Sequence, residues 1–179
     1  EDILEKGDCL KTNKRGRNPV LYRVKSETYY FLGVDLKPFE LIIGLMNLTG
    51  DMVCIERITD FRFENTHNKL DEICTHISQF MLKFQSQNAG KIAGVNFNIG
   101  GIFNFEETRE VPLTLLLNER LGIPVFIEND TKAMAYGEYV SENNASQENV
   151  IYVNIGWGLG LCIIINGEIY YGKDGYSGE

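Results

Sequence analysis

The stretch TYYFLGVDLKPFELIIGLMNLTGDMVCIERITD (28–60) decides the fold. It holds three β-rich runs, 28–37, 40–49 and 51–60, with only one or two residues between them. Lys37-Pro38-Phe39 and Thr49-Gly50-Asp51 have turn chemistry, since proline presets φ and glycine accepts conformations closed to other residues. Breaks this short join antiparallel neighbours, so the stretch is predicted to form a three-stranded antiparallel meander.

Outward from the meander the apolar period changes. Leu70, Ile73, Cys74, Ile77, Phe80, Met81 and Phe84 recur at helical spacing, which predicts a long amphipathic helix over about 67–86. KIAGVNFNI (91–99) reads as a strand running into Gly100-Gly101, and VPLTLLLNERLG (111–122) as a short helix stopped by Gly122 ahead of Pro124. PVFIEN (124–129) is a further strand, and Asn129 or Asp130 is suited to cap a helix through about Tyr139. After the polar loop SENNASQEN (141–149), strands are predicted at VIYVNIG (150–156), LCIIING (161–167) and EIYYG (168–172), with Asn166-Gly167 as a hairpin turn. Residues 1–27 read as an irregular opening punctuated by KTNKRGRNP (11–19). The predicted fold is α/β: a ribonuclease-H-like lobe, a mixed β-sheet with helices on it, in the order βββαβαβα followed by a β-hairpin.

Totals narrow the function. With 44% hydrophobic and 23% charged residues in 179, the chain has the composition of a globular protein with one good core. No apolar run reaches the roughly 18 residues a membrane helix needs, and EDILEKGDCL (1–10) lacks the shape of a signal peptide, so a cytoplasmic protein without membrane partners is expected. Cys9, Cys54, Cys74 and Cys162 are scattered, as expected for thiols in a reducing compartment. His67 and His76 have no partners at metal-ligand spacing, so no metal site is expected inside this chain. The net charge is −8, yet residues 1–25 carry seven basic groups against four acidic ones. A basic head on an acidic body is what a segment next to a DNA-binding unit would show; a solvated tail would show it too.

Three places carry candidate chemistry. In IENDTKAMAYGE (127–138), Asp130 sits where a strand gives way to a helix; there a carboxylate could accept a proton or a hydrogen bond from a substrate hydroxyl, or it could be a helix cap. In VNIGWGLGLCIIINGEIYYG (153–172), Gly156, Gly158 and Gly160 follow a strand and permit close approach to a phosphate; a tight turn needing glycine for its own geometry would look the same. No helix follows these glycines, so a dinucleotide-binding fingerprint is rejected. In NIGGIFNFEETREV (98–111), Gly100 and Gly101 with Asn104 could lay backbone against a ligand, or form an ordinary surface loop. The chain ends in a Gly-rich run, Gly175 to Glu179, which suggests a piece of a longer protein.

Taken in order from about Tyr30 to Glu179, these pieces resemble the ROK family of repressors and sugar kinases. The most specific parts are Leu121-Gly122-Ile123-Pro124-Val125 leading into Glu128-Asn129-Asp130, then Ala135, Gly137-Glu138 and the Gly-rich hairpin with Asn166-Gly167. Gly175-Tyr176-Ser177-Gly178-Glu179 is similar to the first part of the family's G-x-x-G-E-[IL]-G-H stretch. The resemblance implies a sugar held by Asn129, Asp130, Gly100, Gly101, Asn104 and Glu179, with Asp130 at the position of the catalytic base in the kinases. The family's zinc segment would lie beyond Glu179.

One departure separates regulator from enzyme. Where the family's kinases have D-x-G-G-T-[KN] to hold ATP phosphates, this chain has Asp35-Leu36-Lys37-Pro38-Phe39-Glu40. Proline removes a backbone donor and Glu40 adds negative charge, so the expected cofactor is none, with ATP and magnesium only under the alternative of a sugar kinase. Asp35, Gly156, Gly158 and Gly160 are then remnants of a phosphate site. Lys14-Arg15-Gly16-Arg17-Asn18-Pro19 resembles the join after a winged-helix domain in ROK repressors. The resemblance therefore implies residues 1–27 as a remnant or linker from such a domain, and 28–179 as the N-terminal lobe of a sugar-sensing regulator. Its partners would be a sugar or sugar derivative, DNA through a domain not in this chain, and further copies of the full-length protein.

Overall fold

Side-chain alternation builds the central sheet. In β3 (Tyr29–Lys37), Tyr30, Leu32, Val34 and Leu36 are buried, and in β4 (Glu40–Asn47) Leu41, Ile43 and Leu45 are buried on the same face. These positions come from a computed structural model that describes residues 3–9, 19–64, 66–100, 111–141, 148–156, 158–175 and 177–178; Gly101, Asn104, Trp157 and Glu179 lie outside them.

The expected meander is present. β3 pairs antiparallel with β4 from Tyr30↔Asn47 to Lys37↔Glu40, and β4 pairs with β5 (Met52–Ile58). The second turn is locked by one side chain: Asn47 Oδ1 accepts from the N–H groups of Thr49 (3.0 Å) and Asp51 (2.8 Å), while Gly50 takes φ +88°. Such an Asx turn is open to asparagine because its short amide reaches its own backbone two residues on.

Helix α1 (His67–Gln85) buries all seven residues of its apolar stripe, Leu70 to Phe84, in one core with the even face of β3. Tyr30 and Phe84 meet edge to face at 4.6 Å. β6 (Lys91–Ile99) then runs parallel to β3, and β7 (Val125–Asn129) parallel to β6. Between them α2 (Leu113–Leu121) ends at Gly122, whose φ of +68° is open to glycine, and Asn118 Oδ1 accepts the Val125 N–H to start the next strand. The sheet order is β5-β4-β3-β6-β7, and α3 (Asp130–Ser141) follows β7 directly. The elements after residue 28 thus run βββαβαβα, the ribonuclease-H-like lobe.

The last strands do not extend this sheet. β8 (Asn149–Ile155), β9 (Leu159–Ile165) and the short β10 (Glu168–Ile169) form a separate antiparallel sheet, with a small core of Ala135, Cys162 and Ile164 against α3. Asn166 (φ +53°) and Gly167 (φ +80°) make the expected hairpin turn. The strand expected over 168–172 is only two residues long; Tyr170 still donates its N–H to Ile163 O at 2.8 Å, and beyond it the chain leaves β9 for a 3-10 turn at Lys173–Gly175.

The opening also differs from expectation. Residues read as irregular include an antiparallel ribbon of β1 (Leu4–Cys9) and β2 (Val20–Val24), pairing Leu4 with Val24 and Lys6 with Tyr22. LEKGDC has little β-propensity of its own, so its strand depends on a partner more than ten residues away in sequence. Among the described residues no helix is long and apolar enough to cross a membrane.

The seam between the two sheets is tight. A Cβ placed on Gly160 in β9 would lie 2.1 Å from Thr131 Oγ1, and Thr131 is itself buried at the start of α3. Gly160→Ala is therefore expected to cost about 1–3 kcal/mol of stability, with part recovered when Thr131→Ala is added. Urea melts of both single variants and the double variant measure this; strictly additive costs would contradict the contact.

Candidate functional site

Parallel strands that end side by side leave their first turns facing a common space. The register sets Asp35 beside Asn98 and Ile99 beside Asn129, so the ends of β3, β6 and β7 lie level. With the β8–β9 turn they line a cleft of about 630 Å³, and small-molecule sites are typically roughly 300–1,000 Å³. The structure brings Asp35, Gly100, Asn129, Asp130, Gly156, Gly158 and Gly160 to its walls.

The first turn of α3 supplies the polar wall. Asn129 is the helix cap: its Oδ1 accepts the Lys132 N–H at 3.0 Å. The ambiguity between Asn129 and Asp130 as cap is thereby resolved at Asn129. Asp130 Oδ1 instead accepts from the Thr131 N–H at 2.6 Å, and its Oδ2 lies where a Cβ on Gly100 would come within 2.6 Å. A side chain at position 100 would therefore push the Asp130 carboxylate from its present place. The three glycines of the second turn divide. Around Gly156 and Gly158 a Cβ would meet nothing within 4 Å, so both turn residues face open space, while Gly160 is required by its packing on Thr131.

The electrostatics are acidic. Burial pushes the Asp35 carboxyl above the usual carboxylate range; Lys37 opposes that, and the Asp130 and Glu40 carboxylates add to it. Lys37 Nζ lies 3.2 Å from Asp35 Oδ2, and Arg57 Nη1 donates to Glu40 Oε1 at 3.2 Å. The cleft wall at Asp35–Glu40 is therefore already paired with the chain's own cations. Among the described residues no group of three His, Cys, Asp or Glu stands close enough to hold a metal ion.

Sequence reading missed Thr131, Lys132 and Asn154. Asn154 Nδ2 donates to Thr131 Oγ1 at 3.5 Å, which joins β8 to α3 beside the cleft. Thr131 and Lys132 carried a faint signal: they directly follow the candidate pair. Nothing in a polar Thr-Lys at a helix start indicates burial, since both types are mostly exposed.

The chain belongs to the ROK family, whose sequence profile matches residues 31–179. It is 27% identical over 187 residues to the xylose repressor of Caldicellulosiruptor bescii, covering 99% of this chain and 46% of that protein. It is 26% identical over 157 residues to the glucokinase of Thermotoga maritima, covering 83% of this chain and 48% of that one. A crystal structure of a ROK family transcriptional regulator, a homologue of the Escherichia coli Mlc protein, superposes with a TM-score of 0.76 at 21% identity, covering 99% of this chain and 47% of that one. The chain thus spans about half the length of the relatives it matches.

Because the fold holds Asp35 with its proton affinity raised, stability falls as the pH climbs from the ordinary aspartate value through the raised one, and that cost disappears on acidification. Asp35→Asn is expected to raise the thermal midpoint at pH 7, with the gain shrinking as the pH falls through the carboxylate range. A lower midpoint for the variant at pH 7 would show that the Lys37 contact outweighs burial, and equal midpoints that the two cancel.

Proposed function

We propose that this chain is the sugar-sensing part of a ROK transcriptional regulator, a repressor, that binds a sugar or sugar derivative in the cleft. In this reading residues 1–27, with the β1–β2 ribbon, join the lobe at 28–179 to a DNA-binding domain outside this chain. The full-length protein assembles as a homo-oligomer and works in the bacterial cytoplasm, where its DNA lies. The sugar is held by Asn129, Asp130, the Gly100–Gly101 turn with Asn104, and Glu179, and Asp130 acts as a hydrogen-bond acceptor.

The observation that carries this reading is the state of the phosphate turn. Pro38 offers no N–H, Lys37 Nζ is paired with Asp35, and the Glu40 carboxylate lines the same wall. These residues do not suit ATP phosphates, which want backbone donors and uncommitted positive charge. The likeness to a glucokinase supports the alternative of an ATP-dependent sugar kinase. A coupled ADP-release assay on the full-length protein with D-xylose and D-glucose decides between them. No turnover is expected, and turnover on the order of 1 s⁻¹ would establish the kinase.

The sugar site has its own test. Asp130→Ala in the full-length protein is expected to weaken D-xylose or D-glucose binding about tenfold or more, because charge-assisted hydrogen bonds contribute roughly 1.5–3 kcal/mol each. DNA affinity without sugar should stay unchanged. Asn129 still supplies the cap, so loss of the Asp130 bond to the Thr131 N–H should lower the melting temperature only modestly. Calorimetric titration alongside a thermal melt measures both; unchanged sugar affinity would remove Asp130 from the site.

A further inference from the structure

Of the described charged residues, Lys132 alone is fully buried, at 3% exposure. An ammonium taken out of water is costly unless it is paired, so its contacts have to explain its place. Lys132 Nζ donates to the Gly175 carbonyl at 2.5 Å and lies 5.5 Å from the centre of the Tyr171 ring, within reach of the ring's negative face. The Tyr171 hydroxyl donates to Glu128 Oε2 at 2.7 Å, and Glu128 Oε1 accepts the Asn129 N–H at 2.9 Å. Asn129 Oδ1 in turn accepts the Lys132 N–H.

These contacts close a ring through Lys132, Asn129, Glu128 and Tyr171, with Gly175 hung from the ammonium. One side of the ring is the junction of β7 and α3 that carries Asn129 and Asp130. The other side is the segment 171–178, whose end lies along β9: Gly178 lines the cleft, and its carbonyl accepts the Leu161 N–H at 3.2 Å. Among its described residues, the regular structure of that segment is the turn at Lys173–Gly175. A Cβ on Gly178 would lie 1.8 Å from Leu161 O, so its path there leaves no slack.

We propose that Lys132 is a positioning residue that clamps the segment 171–178 to the Asn129–Asp130 junction, so that a sugar on that pair is also met by the end of the segment. The identity of the ligand rests on the function proposed above; the clamp rests on the ring of contacts. A side chain that merely filled space would be replaced without effect by methionine, which has a similar shape and no charge. A clamp would not.

The test is made in the full-length protein by hydrogen-exchange mass spectrometry and calorimetry with D-xylose and D-glucose. Lys132→Met is expected to speed exchange in peptide 170–178 about tenfold or more and to weaken sugar binding about tenfold. Lys132→Arg, which keeps charge and donors, should restore most of both. Wild-type exchange in Lys132→Met overturns the clamp, and faster exchange with unchanged sugar affinity overturns its role at the site. If Lys132→Met does not fold, Tyr171→Leu breaks the same ring and carries the same expectations. Asp130→Ala serves as the control, losing sugar affinity with exchange at 170–178 unchanged. If the wild type binds neither sugar, the ligand assignment falls, and the exchange comparison still judges the clamp.

Discussion

Asp130, Thr131 and Lys132 leave the first turn of α3 in three directions, and each ends on a glycine of a different element. Asp130 lies against Gly100 after β6, Thr131 against Gly160 in β9, and Lys132 on the carbonyl of Gly175. The geometry of the cleft depends on this turn, because pieces of chain from β6, β9 and the segment carrying Gly175 all meet it. The turn itself is held by Asn129, the last residue of a parallel strand and the cap of the helix. A strand that ends in a cap passes its rigidity directly to the helix start, which is why the polar groups here are well placed without a long loop to hold them.

The two sheets depend on that turn unequally. The five-stranded sheet has its own large core, from Tyr30 to Val125, with α1 and α2 on one face. The three-stranded sheet buries Cys162 and Ile164 against Ala135 of α3, while Ile151, Val153 and Ile155 on its other face stay exposed. Its fixed position relative to the cleft comes from α3 and from the Thr131–Gly160 and Asn154–Thr131 contacts. The same helix thus serves as the cleft wall and as the joint between the sheets.

What the sequence made legible follows from periodicity and local chemistry. The meander, the Leu70–Phe84 stripe, the Gly122 stop and the Asn166-Gly167 turn each declare themselves within a few residues. The cleft was legible as a set of junctions, since Asp35, Gly100, Asn129 and Asp130 all fall at strand ends. What stayed hidden was non-local. β1 has a poor strand sequence and depends on β2, and the separation of β8–β10 into their own sheet is a matter of partner choice that alternation does not encode. Gly160 read as a phosphate glycine because its need is steric and its partner, Thr131, is 29 positions back. Lys132 gave no local sign of its burial, since burial of a charge is decided by the segment that later folds over it.

The Asp35–Lys37 pair also bears on how such a cleft changes in evolution. Lys37 is the counterion nearest Asp35, in a wall where Asp130 and Glu40 add to the negative field. Exchanging Lys37 for glycine alone would leave that field uncompensated, and exchanging Pro38 alone would loosen a two-residue turn without admitting a phosphate. Each single step toward a glycine-rich turn would thus disturb a contact or constraint of the present one. The pair therefore ties the charge at position 37 to the carboxylate at position 35, so that a change at one is felt at the other.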